Sequence, residues 1–389
     1  MNRKRIAFAV LSNSAASVAT FSLSVSVARN STIDGFGAFS LAMIIFLFGS
    51  GLQRAGLTDS ALSRPASKGA FVRNSQRGSV VGVLGGISLA VIGTLSANTY
   101  LIFLGIAFHG LLALDFLRTY DAAVGNVTRA FMTTILWSAT TISFAVVSIV
   151  SPIPSPVVFG SWAFCGATIG YISALIARMP LVPRWPKNRF ESRIAGLFGL
   201  DYIVGSGGSS LTTALLGTFV SPQVIAAIRG GGTLLGPVNL ISATVRSLSL
   251  PFLAAGERRI SEFAKAVRLT LAVSVVITPL LGFLVFLPDT WGAELLGESW
   301  TVARPALLPL SIETLLALVG GIAAAGHRVA FASVRTLVLR LSVGIPRPFI
   351  VVCCAVAWGI PGAAWSMAII AAVNAVLWWT SYRLLTRPA

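Results

Sequence analysis

Arg178-Met179-Pro180-Leu181-Val182-Pro183-Arg184-Trp185-Pro186-Lys187-Asn188-Arg189-Phe190-Glu191-Ser192-Arg193 decides how this chain is built. The stretch is basic and punctuated by prolines. Apolar runs lie on both sides of it, at 156–177 and 195–219. A run near 20 residues crosses a bilayer as a helix, and short loops rich in Lys and Arg stay cytoplasmic. The stretch therefore reads as a cytoplasmic loop between two membrane spans.

The same pattern repeats outward in both directions. Apolar segments fall at about 6–28, 36–56, 79–97, 99–117, 130–150 and 156–177 before the loop. After it they fall at 195–219, 223–250, 266–287, 304–326, 334–357 and 361–382. About twelve spans leave only short connections, so no sizeable soluble domain fits. The segments are continuously apolar and do not alternate with period two, which favours helices over a β-barrel. Bases cluster in every second gap: Arg3-Lys4-Arg5, then Arg64 to Arg77, Arg118 and Arg129, the quoted loop, Arg258 to Arg268, Arg328 and Arg335, and Arg383 and Arg387. The alternate gaps hold almost none. Both termini are thus expected in the cytoplasm, in a multi-pass protein of the inner (plasma) membrane. The expected fold is all-α and polytopic, with lobes at 1–178 and 195–389 joined by a cytoplasmic linker at 179–194. Arg54 against Arg246, and Arg77 against Arg268, echo each other across the two halves, as parallel repeats would.

Composition agrees. Apolar residues make up 55% of the chain and charged ones 11%, where soluble domains carry roughly 25%. The net charge of +17 does not indicate nucleic acid, because the bases cap apolar segments and form no single patch. Cys165, Cys353 and Cys354 lie inside apolar segments without metal-ligand spacing, so they read as small hydrophobes, and no metal or cofactor is expected. The first apolar stretch lacks a clear small-x-small cleavage site and reads as a retained span.

Polar residues inside the spans are expected to face a cavity or a partner, because charge at the bilayer centre costs roughly 2.5–3.5 kcal/mol on insertion scales. They include His109 and Asp115 in the fourth span, Asp201 in the seventh, Arg229 and Arg246 in the eighth and Glu313 in the tenth. Arg340 and Arg347 fall in the eleventh. Arg54 sits near a span end, where it can snorkel to the interface. His109 reads either as a hydrogen-bonded core histidine or as a proton relay.

The eighth span contains Ile228-Arg229-Gly230-Gly231-Gly232-Thr233-Leu234-Leu235-Gly236-Pro237. Its glycines and proline weaken an isolated helix but allow close helix approach or an unwound turn. The Lys-Ser/Thr of a phosphate-binding Walker loop is missing. Ile345-Pro346-Arg347-Pro348 predicts a kink beside a buried cation; alternatively it lies at the inner interface and Arg340 is a loop base.

Four stretches in order carry a resemblance: Phe36-Gly37-Ala38-Phe39; Asp115-Phe116-Leu117-Arg118 with Arg129-Ala130; Ile228-Arg229-Gly230 through Leu235-Gly236-Pro237 with Pro251; and Leu296-Gly297-Glu298-Ser299-Trp300. With the topology, they make the chain similar to the polysaccharide (O-antigen type) flippases of the multidrug/oligosaccharidyl-lipid/polysaccharide exporter superfamily. The resemblance implies two six-helix lobes around a central cavity with alternating access. The implied substrate is a polyprenyl-pyrophosphate-linked oligosaccharide moved from inner to outer leaflet for surface polysaccharide assembly, with contacts to membrane lipids and to polysaccharide-assembly proteins. Arg229, Arg246 and Arg347 become the candidate substrate contacts, since Arg binds phosphate in a bidentate manner. Asp201, Glu313 and His109 become candidates for ion coupling, with salt-bridge partnership as the alternative.

Two rival functions remain. A drug or cation antiporter of the same superfamily needs cavity carboxylates, yet bases outnumber acids in these spans. A membrane-embedded glycan polymerase or acyltransferase needs an outer-loop catalytic cluster. The only long outer loop expected, 289–303, has Asp289, Glu294 and Glu298 but no His. The chain is therefore read as a transporter rather than an enzyme.

Overall fold

The computed structural model describes residues 3–59, 61, 68–151, 153–186, 189–204, 207–254, 259–330 and 332–386. Among them there is no β-strand; the chain is helical almost throughout. The helices are α1 (Arg3–Arg29), α2 (Ile33–Gln53, extended by a π-helical turn, Arg54–Asp59), α3 (Lys68–Leu95), α4 (Thr99–Ala123), α5 (Val127–Val150) and α6 (Ser155–Ala177). They continue with α7 (Arg189–Val204), α8 (Gly207–Phe219), α9 (Pro222–Leu234), α10 (Gly236–Ala254), α11 (Arg259–Val285), α12 (Asp289–Leu296), α13 (Ser299–Val329), α14 (Ser333–Gly344) and α15 (Pro346–Thr386).

This is an all-α polytopic membrane protein. Eight helical stretches among the described residues are long and apolar enough to cross a membrane, or nine when the bent pair α9–α10 is taken as one span. The stretch Val334–Thr386, 53 residues, would measure about 80 Å if straight, against about 30 Å of hydrocarbon. It is broken at Gly359, whose φ is 60°. A Cβ on Gly362 would collide with the Cys354 carbonyl, so the two arms lie close across the break. The seventh expected span is covered by two helices, α7 and α8. Gly205 of its glycine cluster lies outside the described residues. Large apolar side chains point outward along α11, where Leu271, Val275 and Val276 are each more than 60% exposed. Lipid is the solvent that tolerates such a face.

The described residues form two compact units, Met1–Ala214 and Leu215–Ala389. In the first, α4 is the central helix and packs on α2, α3, α5 and α6. Small residues let it approach its neighbours: a Cβ on Gly105 would strike Ala90 and the Gly86 carbonyl of α3, and one on Gly110 would strike Ala167 of α6. In membranes such close backbone packing replaces the hydrophobic drive. An aromatic group completes the unit: Phe39 contacts Phe36, Tyr100 and Phe159, and Phe159 contacts Trp162. The Phe36-Gly37-Ala38-Phe39 motif thus supplies packing. In the second unit α13 takes the central place, against α9, α10, α11 and α15. The fourth and tenth spans therefore play equivalent parts, each packed on the last span of its own half.

Two expectations change. The quoted loop is helical from Arg189 onward, and its first part is bound to α3. Ser75 Oγ donates to the Pro180 carbonyl (3.0 Å), Arg77 donates to the Pro186 carbonyl (2.9 Å), and Met179 is buried against Phe71 and Phe116. Helix α7 packs on the Arg54–Asp59 turn, so it clusters with the first unit although it follows the loop. The second change concerns the expected outer loop at 289–303, which is mostly helix. Gly297, with φ 57°, ends α12. Trp300 stacks over Gly292 and donates Nε1–H to Asp289 Oδ1 at 2.8 Å, and Arg304 pairs with Asp289. The Leu-Gly-x-x-Trp motif is a helix corner.

Candidate functional site

In the second unit Glu313 and Arg347 meet where α15 packs on α13, and α9, which carries Arg229, packs on both helices. Helix α9 remains helical through Gly230-Gly231-Gly232, because Gly231 allows Leu310 of α13 to come against its backbone. The helix stops at Leu234. Pro237 has no N–H to donate to the preceding turn, and the chain bends by 61° into α10. Both readings of the glycine-rich span hold, at different positions. Arg229 is half-buried on α9, one turn before the bend; its carbonyl accepts from Thr233 Oγ1 at 2.9 Å.

Ile345-Pro346-Arg347-Pro348 separates α14 from α15. A proline at the first helical position loses no intrahelical bond, so α15 begins there. This places Arg347 beside Glu313, in the interior of α13, with Arg347 Nη2 2.5 Å from Glu313 Oε1. Both side chains are mostly buried, at 24% and 19% exposed. A guanidinium held by one carboxylate oxygen keeps other donors for a second anion. The structure thus joins a predicted anion contact and a predicted coupling carboxylate into one ion pair. The side chains of Arg246 and Asp201 lie outside the described residues.

His109 lies in the first unit. Its Nδ1 is 3.1 Å from the Tyr171 hydroxyl of α6. Several other charges of this unit pair with each other. Arg54, read as an interfacial anchor, forms an ion pair with Asp115 (2.6 Å), which also holds Arg118 (3.1 Å). Asp121, buried, pairs with Arg129. The Asp115-Phe116-Leu117-Arg118 motif with Arg129 is therefore a charge lattice tying α2, α4 and α5.

Sequence reasoning missed two residues. Arg77, taken as a loop base fixing topology, is 1% exposed and donates to Asn74 Oδ1. Its signal was Asn74 three residues earlier, a polar pair on one helical face. His327, not singled out in the sequence, is fully buried between Trp378 and Tyr382.

No sequence family matches the chain, and no curated protein matches it in sequence. Solved structures do match. One is the lipid II flippase MurJ in an inward closed conformation, with TM-score 0.75 and 10% identity over 97% of this chain and 87% of that one. A second is a multidrug resistance MATE family transporter of the MOP superfamily in an inward-facing conformation, with TM-score 0.67 and 13% identity over 95% and 94%. A third is an outward-facing MATE transporter of that superfamily, with TM-score 0.58 and 14% identity over 97% and 93%. At these identities the likeness is one of fold. The chain has the all-α, multi-pass membrane fold seen in the lipid II flippase MurJ and in MATE family transporters of the MOP superfamily.

Proposed function

We propose that the chain is a transporter that moves a polyprenyl-pyrophosphate-linked oligosaccharide from the inner to the outer leaflet by alternating access of two six-helix lobes around a central cavity. Its products would serve surface polysaccharide assembly, and polysaccharide-assembly proteins are its expected partners. The membrane is the inner one, with both termini cytoplasmic. The observation that carries this reading is the half-buried Arg347, held by a single carboxylate inside apolar helices next to the helix that bears Arg229. A diphosphate head group cannot cross hydrocarbon bare. Arginines in the spans offer it charge-assisted hydrogen bonds, and Glu313 occupies Arg347 when no anion is present. Arg246 is proposed as a third contact, and Asp201, Glu313 and His109 as groups that couple transport to an ion. The likeness to a lipid II flippase supports a lipid-linked substrate, and the likeness to MATE supports alternating access.

The rival reading, a cation or drug antiporter, calls for an open carboxylate in the spans. Asp115, Asp121 and Glu313 are each engaged by arginine, which favours the anionic substrate. Vesicles offering labelled glycan lipid and a cationic dye separate the two readings. The glycan lipid is expected to move and the dye to stay. Dye export lost in Glu313→Gln, with no glycan lipid moved, would establish the antiporter instead.

A further inference from the structure

The chain has two histidines, and only one of them is closed off. His327 has both ring nitrogens engaged, Nδ1 with the Ala323 carbonyl at 3.0 Å and Nε2 with Ser381 Oγ at 2.9 Å. It is a fully satisfied core residue. His109 differs. Nδ1 is bonded to Tyr171, but Nε2 is buried with no hydrogen-bond partner among the described residues.

Two more unpartnered polar atoms share its cavity. Gln53 Oε1 and Ser79 Oγ are buried and unbonded among the described residues, and Gln53, Ser79 and His109 line the same small space in the first unit. Gln53 is 6% exposed and Ser79 2%. Gln53 Nε2 donates to the Leu112 carbonyl at 3.0 Å, which fixes the amide and leaves Oε1 as an acceptor for the cavity. Ser75, another lining residue, gives its hydroxyl proton to the Pro180 carbonyl and keeps its lone pairs. Each buried polar group left without a partner destabilises the fold. Three of them around a space the size of one water meet the two to four polar partners a buried water needs.

The lining argues against a metal cation: among the described residues no carboxylate lines the cavity. Asp115, on the same helix as His109, is shared by Arg54 from the α2 turn and Arg118, and Asp59 of that turn also interacts with Arg54, so the two acids balance the two bases. From α3, the charged group is Arg77, which donates to Asn74 and Pro186. The α5 contribution, Arg129, is neutralised by Asp121. From α6, the titratable group is Tyr171.

We propose that this cavity holds a water molecule through which His109 takes up and releases a proton. The exchange would run on the side covered by the Met179–Pro186 segment, whose Leu181 also lines the cavity. In the receptive tautomer Nδ1–H donates to the Tyr171 oxygen, and the Nε2 lone pair accepts from the water. A proton arriving on that water leaves it as its O–H bond breaks and the Nε2–H bond forms, giving an imidazolium and regenerating the water. The step needs no oxidant, reductant or other co-reactant. The claim that this proton drives transport rests on the function proposed above; the hydrated site itself does not.

Protein labelled with ¹⁵N-histidine in lipid bilayers shows two imidazoles, assigned with His327→Gln. In water-edited solid-state NMR, magnetisation is expected to pass from water to the His109 ring and not to His327. Ser79→Ala and Gln53→Met should each weaken that transfer. A dry His109, equal transfer to both rings, or a His109 ring that stays neutral on acidification overturns the site. In vesicles, wild-type accumulation of labelled glycan lipid should shift about tenfold per pH unit of imposed gradient for each coupled proton, and His109→Gln should lose that dependence. Wild-type transport that ignores the gradient refutes the coupling. If the wild type moves no glycan lipid, the proposed function and the coupling both fall, while the spectra still decide the hydrated site.

Discussion

Asp121 and Arg129 show how differently two ion pairs of one chain weigh. Asp121 is 2% exposed in its side chain, so removing it leaves a guanidinium beside an apolar core. Breaking a buried pair costs about 3–5 kcal/mol. Asp121→Ala should therefore lower stability by about 3 kcal/mol, seen as a large drop in the denaturant midpoint in detergent. Arg304→Ala removes a pair whose partners are both more than half exposed; the same measurement should show under about 1 kcal/mol. In the sequence Arg129 falls in a basic gap and Asp289 in an expected outer loop, and nothing in the local pattern tells which pair is buried. Burial is decided across helices. Arg73 and Arg77 belong to one basic cluster, yet Arg77 is enclosed between Asn74 and the returning Pro186 backbone. Chain 109 residues away decides that outcome, and no local pattern records it. Arg77→Met should free the Met179–Pro186 segment, so that trypsin cuts after Arg184 faster than in the wild type. Unchanged cleavage would show that the segment is held by its apolar contacts alone.

Helix breaks were more legible than pairings, because they are written in glycine and proline. Gly236-Pro237, Ile345-Pro346 and Gly359-Ile360-Pro361 each fall where one helix ends or bends. What the sequence left open was which glycine bends the chain and which admits a neighbour. Gly231 admits Leu310, whereas a Cβ on Gly236 would meet nothing within 4 Å. Gly236→Ala should therefore be tolerated. Gly105→Val should reduce the yield of folded protein sharply, because α4 cannot then approach α3; fluorescence-detected size exclusion of the two variants makes the comparison. Gly359, at φ 60° and ψ −139°, stands in a region open essentially to glycine, where a side chain costs of order 1–3 kcal/mol. Gly359→Ala should lower the melting temperature even though the space around it is open.

The fold of the whole molecule was readable from apolar runs alternating with basic clusters, since the bilayer imposes both span length and loop charge. The site was readable only in part. Glu313 and Arg347 were each singled out, but their meeting depends on where α15 begins, and the hydrated pocket at His109 depends on Gln53 and Ser79, residues with no sequence signal of their own. Each of the two packing units is centred on one apolar helix. The most direct test follows labelled polyprenyl-pyrophosphate oligosaccharide across the leaflets of vesicles holding wild type, Arg229→Ala or Arg347→Ala. The expected result is transfer by the wild type, with each substitution costing the about 1.5–3 kcal/mol of a charged hydrogen bond, roughly tenfold or more in rate. Transfer undiminished in both variants, or none by a folded wild type, would contradict it.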